Sequence, residues 1–380
     1  MFRVAVQKSA KITKRPSERI LAFDLLRGYF LYVILFNHLW YYPSGLDVFT
    51  GRGILYVSTA EGFFVVSGIV LGIVRGLKLI NQPFSVAAKL LWKRSLQLYI
   101  TSFVLTIIFA VIGAFFIDNP GLKSGAYTDW AHWWNLIIDT ATLNYTYGWA
   151  DFLRLYAIFI FFAPFALWLL RKGWWYVVLI ISAAIWSLYP ILPPITRLAQ
   201  PFSWQFIFFA GLTIGFYWEK ILATWRSLPI IVRKRIGWSF VGTFAVTALA
   251  TFILVFGNML GGTIGANIDA VHHVVEQGFN KDRLPIPRML LGTIWFWGLF
   301  YLVRRYETQI LRRTGSLILG FGTNSLYVYT ISAFVIFFMH LIVAPPGLGS
   351  AFLNLLLSLV AAALVQLSLR KKFLMKIIPR

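Results

Sequence analysis

Cysteine is absent from the 380-residue chain, which excludes disulfides, thiolate nucleophiles and cysteine-based metal sites. Charge is scarce too: Asp, Glu, Lys and Arg make up 13% of residues, against roughly a quarter in soluble domains. Acidic groups are the rarest, 13 against 35 Lys and Arg. No Walker-type glycine-rich loop or nucleotide-binding strand is present, so ATP-driven work is not indicated. No internal repeat, low-complexity tract or linker divides the chain. The first apolar run is too long and too charged for a signal peptide, and no small-residue cleavage site follows it. What remains is apolar: 59% of residues are hydrophobic, with 35 Phe and 16 Trp. That composition predicts an all-α polytopic membrane protein.

Apolar runs of about 17–25 residues suit a membrane-crossing helix. Ten are expected, near 20–40, 54–74, 95–117, 152–170, 174–190, 203–218, 237–256, 287–303, 323–344 and 350–369. With both termini cytoplasmic, 27 of the 35 basic residues fall in inner segments and five in outer ones (Arg52, Lys123, Arg197, Lys281 and Arg283). That alternation is the positive-inside pattern, so the net charge of +22 reports topology and not nucleic-acid binding. The expected organisation is a basic segment 1–19, a ten-helix domain 20–369 and a basic tail 370–380. Two outer segments are long, about 118–151 and 257–286. The first is rich in aromatics and is expected to contain an interfacial helix.

The first span, FDLLRGYFLYVILFNHLW, carries Asp24, Arg27, Asn37 and His38. Ionisable groups inside a membrane are costly and mostly face a cavity or a partner. Arg27 and His38 are eleven residues apart, which returns them to nearly one helix face about 16 Å apart. Asp24 falls on the same side. One reading has Asp24 neutralise Arg27 while His38 caps the helix; the three on one stripe favour a site. Glu61, in the outer half of the second span, is placed to orient His38 as a general-base dyad or to bond helix ends across the bundle. Gly68 and Gly72, like Gly211 and Gly215, have the four-residue spacing of close helix packing.

Arg27-x(10)-His38 at the end of the first helix resembles the signature of the membrane acyltransferase-3 superfamily. RILAFDLLRGYFLYVILFNHL, TAEGFFVVSGIVLGIVRG, ADFLRLYAIFIFFAP, FSWQFIFFAGLTIGF, LPIPRMLLG and GTNSLYVYT together look like the OpgC family, which succinylates osmoregulated periplasmic glucans. The resemblance implies a ten-helix enzyme of the bacterial cytoplasmic (inner) membrane. It would take an acyl group from cytoplasmic acyl-CoA, as succinyl-CoA or acetyl-CoA, to a hydroxyl of an extracytoplasmic glycan. Asp24, Arg27, Asn37, His38 and Glu61 match the family's positions; Arg94, Trp204, Gln205, Arg288 and Asn324 are weaker matches. The long charged outer domains of some relatives are missing.

On this reading His38 is the general base, and Arg27 binds the pantetheine arm or holds the local structure through Asp24. An Asn or a backbone donor stabilises the oxyanion. Lys89, Lys93 and Arg94 are candidates for the CoA phosphates, although positive-inside topology accounts for each alone. Arg288 can pair with a succinyl carboxylate or snorkel to the interface. Outer Trp and Tyr stack on sugars or form an interfacial belt. His272, His273 and Glu276 make at most a weak metal set, and no metal is expected. Competing readings are an acetyltransferase of O-antigen, peptidoglycan or another surface glycan, and a secondary transporter or flippase using the same charges as a path. A sensory or scaffold role leaves the intramembrane charges unexplained.

Overall fold

The computed structural model describes residues 20–122, 126–188, 196–314 and 316–378, without the side chains of 196–199 and 316. The basic segment 1–19, Lys123, the Arg197 side chain and Arg380 lie outside the described residues. The described residues are all-α, with no strand among them.

Sixteen α-helices follow in order. The first four are α1 (Leu21–Leu39), the short α2 (Asp47–Thr50), α3 (Thr59–Leu71) and α4 (Phe84–Ala114). A π-helical turn (Gly72–Leu77) continues α3. Next come α5 (Trp133–Ala141), α6 (Asp151–Arg171), α7 (Trp175–Ser187), α8 (Thr196–Phe216) and α9 (Trp218–Ser227). The remainder are α10 (Ile230–Phe256), α11 (Gly262–Glu276), α12 (Ile286–Arg305), α13 (Glu307–Thr314), α14 (Ser316–Thr323), α15 (Ser325–Ile342) and α16 (Ala351–Arg370).

Each of the ten expected spans coincides with a helix. Among the described residues, seven helical segments are long and apolar enough to cross a membrane, or eight if the α8–α9 pair, bent by 67°, counts as one span. The other two are α1, where four polar groups dilute the apolar run, and α7, which has only 13 residues. Two helices start earlier than hydropathy suggests. Pro83 and Pro229 sit at the N-caps of α4 and α10, with φ already fixed near helical values. Basic residues taken as loop therefore lie in the first turns. The first long segment does contain a short amphipathic helix, α5, which buries Leu136 and Thr140 and exposes Trp133, Trp134, Ile137 and Ile138.

α1 runs through the middle of the bundle, against α3, α12, α14, α15 and α16. Close approach is built in. A Cβ on Gly322 of α14 would collide with the Asp24 carbonyl of α1, and one on Gly28 with the Ile318 carbonyl. The four-residue glycine pairs work in the same way. Gly68 and Gly72 meet the carbonyls of Phe208 and Leu212 on α8, while Gly211 and Gly215 meet those of Val65 and Ile69 on α3. Backbone-to-backbone contact of this kind replaces the hydrophobic drive that lipid cannot supply. α4 pairs with α6, and α10 with α12; α10 buries only Gly237, Thr251 and Val255 and lies at the margin.

Candidate active site

The C-terminal end of α1 is held from several sides. Trp40 turns out of the helix in the left-handed region, φ 52°. The Leu39 carbonyl accepts a hydrogen bond from Nε2 of the buried His340 at 2.9 Å, and the Tyr41 hydroxyl lies 2.9 Å from Met339 O and 2.8 Å from Val343 O. The end of α1 is thereby fastened to the end of α15. His38, half-buried in this last turn, lines a small cavity with Trp149, Tyr329 and Ser332 over an aliphatic floor of Leu31, Ile34, Leu35, Ala333 and Ile336. The Tyr329 hydroxyl donates to the Trp149 carbonyl at 2.8 Å, which ties α15 to the start of α6. The cavity measures about 10 Å³, room for one water-sized group.

Asn37, the neighbour of His38, is engaged by the segment that follows α1. Its Oδ1 accepts from the Tyr42 hydroxyl at 2.9 Å, and its Nδ2 lies 3.5 Å from the Thr50 carbonyl. Thr50 Oγ1 is 2.8 Å from the Tyr42 hydroxyl, and the Asp47–Arg52 ion pair closes the same turn. Burial pushes the Asp47 carboxyl up, but the Ser44 amide and the Arg52 guanidinium more than offset that, and the group sits below the usual carboxylate range.

Glu61 stands at the start of α3, where the sequence placed it as a partner for His38. Its bonds go elsewhere. Oε2 accepts from Ser58 N at 3.0 Å and from the Ser58 hydroxyl in a capping box. Oε1 accepts from Arg288 Nε at 2.6 Å, with Nη2 2.5 Å away. Arg288 Nη1 donates to the Phe279 carbonyl at 2.7 Å. Both groups are buried, so the pair, 227 positions apart in sequence, fastens α3 to α12 and to the loop before it. The capping residue and the interfacial arginine are one structural unit.

Trp204, Gln205 and Asn324 also have partners within the fold. Trp204 is buried and its Nε1 donates to the Lys281 carbonyl at 3.2 Å. Gln205 joins α8 to α7 by donating to Ser182 O at 2.7 Å and accepting from the Ser182 hydroxyl. Asn324 Nδ2 donates to Gly320 O and lies 3.0 Å from Thr323 Oγ1, bracing the break between α14 and α15. On α11, His272 meets the Tyr56 hydroxyl at 2.8 Å and Glu276 at 3.7 Å, while His273 faces Asp269 at 3.4 Å.

At the other end of α1 the arginines gather. Arg27 is half-buried, and its Nε is buried without a hydrogen-bond partner; Asp24 beside it is 5% exposed. The charges of Arg27 and of Arg75, on the π turn, both reach Arg94 on α4, as does Tyr156 on α6. Lys89 and Lys93 are different. They share the exposed side of α4 with Val86, Leu96, Ile100 and Val104, whereas Arg94 is half-buried and within reach of the Arg27 and Arg75 charges. Of the three basic residues singled out on this helix, only Arg94 joins the cluster.

Spacing alone did not reveal Arg75, Trp149, Tyr329 or Ser332 as site residues. Arg75 counted only as an inner-loop charge, and the others come from segments that only the tertiary fold brings to His38. No curated protein and no solved structure matches the chain. The family model described as OpgC protein matches residues 19–370, nearly the whole chain and every residue just described, and the chain belongs to that family.

Proposed function

We propose that this chain is a membrane O-acyltransferase carrying an acyl group, succinyl in the first instance, from cytoplasmic acyl-CoA to a hydroxyl of an extracytoplasmic glycan. The family suggests an acyltransferase-like membrane protein. The observation that carries the finer reading is the layout of α1. His38 opens on a small cavity that Ser332 and Tyr329 also line at one end, and Arg27, whose charge reaches Arg94, stands about 16 Å away along the axis.

The parts suit the two halves of such a reaction. Arg27, Arg75 and Arg94 suit the phosphates of CoA, and the unpartnered Nε of Arg27 leaves a donor for the pantetheine arm. The arm then runs beside α1 toward His38. There the imidazole takes the proton of the glycan hydroxyl as its oxygen attacks the thioester carbonyl. The C–O bond forms, the C–S bond breaks, and the departing thiolate recovers the proton from the imidazolium. The Ser332 hydroxyl, on the same cavity, suits the oxyanion, while the Asn37 amide is engaged by Tyr42 and Thr50. The cavity admits a hydroxyl as it stands, so the acyl chain has to widen it between α1 and α15. Glu61 acts at one remove, holding Arg288 and the adjoining loop. The setting is the bacterial cytoplasmic membrane, with the Arg94 end inward.

The test is release of free CoA by the purified full chain in detergent, with isolated osmoregulated periplasmic glucan as acceptor. Wild type releases CoA from succinyl-CoA and labels the glycan. His38→Ala folds with an unchanged melting temperature and loses at least about 100-fold in turnover, the lower end of the usual general-base contribution. Absence of CoA release by wild type, or retained turnover in the variant, overturns the proposal and returns the charges of α1 to a transport path.

A further inference from the structure

An open groove of about 540 Å³ runs between α1, α14 and α16, a volume within the range of small-molecule sites. It exists because α16 carries alanine at 361–363 in a stretch otherwise rich in leucine and valine. Ala362 and Ala363 line the groove opposite Leu317 of α14 and Tyr32 of α1. Tyr32 is fixed by Phe321, whose ring lies parallel to its own with centroids 4.0 Å apart.

Most of this wall is apolar, but three polar groups stand in it. The Tyr32 hydroxyl donates to Gln366 Oε1 at 3.3 Å, and the Gln366 amide nitrogen has no hydrogen-bond partner among the described residues. Arg370 closes the groove at the end of α16, and its guanidinium has neither a hydrogen-bond nor an ion-pair partner among the described residues. No acidic side chain among them lines the groove. Ala362, Gln366 and Arg370 follow one another at four-residue steps and so share one helix face over about 12 Å. Along that face the order is apolar channel, amide, cation.

The chain beyond α16 is held against the bundle. The Tyr327 hydroxyl of α15 lies 3.0 Å from Ser368 O and 2.6 Å from Phe373 O, and Ile378 is buried in the core. Lys372 and Leu374 have φ of 53° and 52°, a left-handed backbone that persists only where its surroundings over-determine it. Lys371 and Lys372 are thereby kept next to Arg370, while Phe373, Leu374 and Ile377 stay exposed. Basic residues mixed with exposed apolar ones suit a segment lying in the headgroup layer. Basic pockets between helices at that level take anionic headgroups.

We propose that the groove between α1, α14 and α16 binds one anionic phospholipid. Its phosphate meets the Arg370 fork, an ester carbonyl accepts from the Gln366 amide, and an acyl chain passes over Ala362 and Ala363 against Tyr32. The sequence of groups along α16 is the sequence of groups along such a lipid. A zwitterionic lipid brings a second cation up to Arg370, Lys371 and Lys372 and is disfavoured for that reason. None of these residues takes part in the proposed acyl transfer, so the site stands independently of it.

The test is native mass spectrometry of the full chain in detergent, titrated with phosphatidylglycerol or with phosphatidylcholine of the same acyl chains. Wild type takes up one phosphatidylglycerol in a saturable step, at least about 10-fold more tightly than phosphatidylcholine. Arg370→Gln weakens phosphatidylglycerol about 5-fold or more, the share of one basic residue at a membrane surface, and narrows the preference. Ala363→Trp fills the groove and removes the saturable step. Lys220→Gln, at a basic position on α9, leaves it intact. Lys220, Ala363 and Arg370 are all exposed, so the fold is not at stake. No preference in wild type, or unchanged binding in Arg370→Gln or Ala363→Trp, overturns the proposal and leaves only unspecific lipid. An equal loss in Lys220→Gln overturns it as well. So does displacement of the lipid by inorganic phosphate at constant ionic strength, which would mark a site for a free anion.

Discussion

At the residue scale the end of α1 depends on a single ion pair for one of its braces. Asp47 and Arg52 close the turn whose Tyr42 and Thr50 hold Asn37, and Asp47 has its carboxyl depressed below the ordinary range. A depressed carboxylate stabilises the fold fully above its unfolded value of about 3.9 and ceases to do so as pH falls through the lower folded value. Asp47→Asn should therefore melt earlier than wild type at neutral pH, with the gap narrowing as pH falls below the unfolded value of about 3.9. Thermal melts of both proteins across pH in detergent check it, and a pH-independent gap would show that the charge is not the cause. Sequence spacing was enough to single out Arg27 and His38, because eleven residues of one helix fix their relation. It was not enough for the loop before α12, whose place depends on bonds from Trp186, Ser203 and Trp204, residues 77–98 positions away. For the same reason Glu61 and Arg288 read as two separate site residues when they are partners.

Among the elements, the helices were legible from hydropathy, and their ends were not. Charge marks where an apolar run stops, yet α4 and α10 begin at proline N-caps, ahead of their basic residues. The π turn after α3 is a second case. It inserts an extra residue, so side chains beyond it are rotated by about 100° from an α-helical projection. Arg75 lies in that turn and reaches Arg94, which a regular helix drawn through Leu71 does not anticipate. The glycine spacing, by contrast, was read correctly, because close approach between helices leaves a local signature. Its energetic consequence differs by position. Gly322→Ala drives a methyl into the Asp24 carbonyl of α1, whereas Gly242 on α10 has open space where a Cβ would go. Gly322→Ala should cost about 1–3 kcal/mol, as overpacking does. Gly242→Ala should be neutral or slightly stabilising, since glycine inside a helix is worse than alanine by up to about 1 kcal/mol. Melting temperatures of the two variants decide this, and equal effects would deny that α1 and α14 meet through their backbones.

For the molecule as a whole the open variable is the parity of crossings, and α7 controls it. Thirteen helical residues span about 20 Å, short of a hydrocarbon core of about 30 Å, while the positive-inside count requires a crossing there. A chain without cysteine allows the question to be put one residue at a time. Asn81, Gln277 and Lys376 are all exposed and lie outside the proposed site. If α7 crosses, α4, α6, α7, α8 and α10 separate Asn81 from Gln277, five crossings that put them on opposite sides. Asn81 and Lys376 then share a side, separated by eight. If α7 only dips into the bilayer, Asn81 and Gln277 share a side and Lys376 changes to the other. Single cysteines at the three positions, probed with a membrane-impermeant maleimide on intact and then permeabilised cells, separate the two patterns. The expected result is labelling of Gln277→Cys in intact cells and of Asn81→Cys and Lys376→Cys only after permeabilisation. That result puts Gln277 on the glycan side and the Arg94 end on the CoA side. Any other pattern removes the transmembrane acyl transfer proposed for α1, because donor and acceptor would no longer meet His38 from opposite faces.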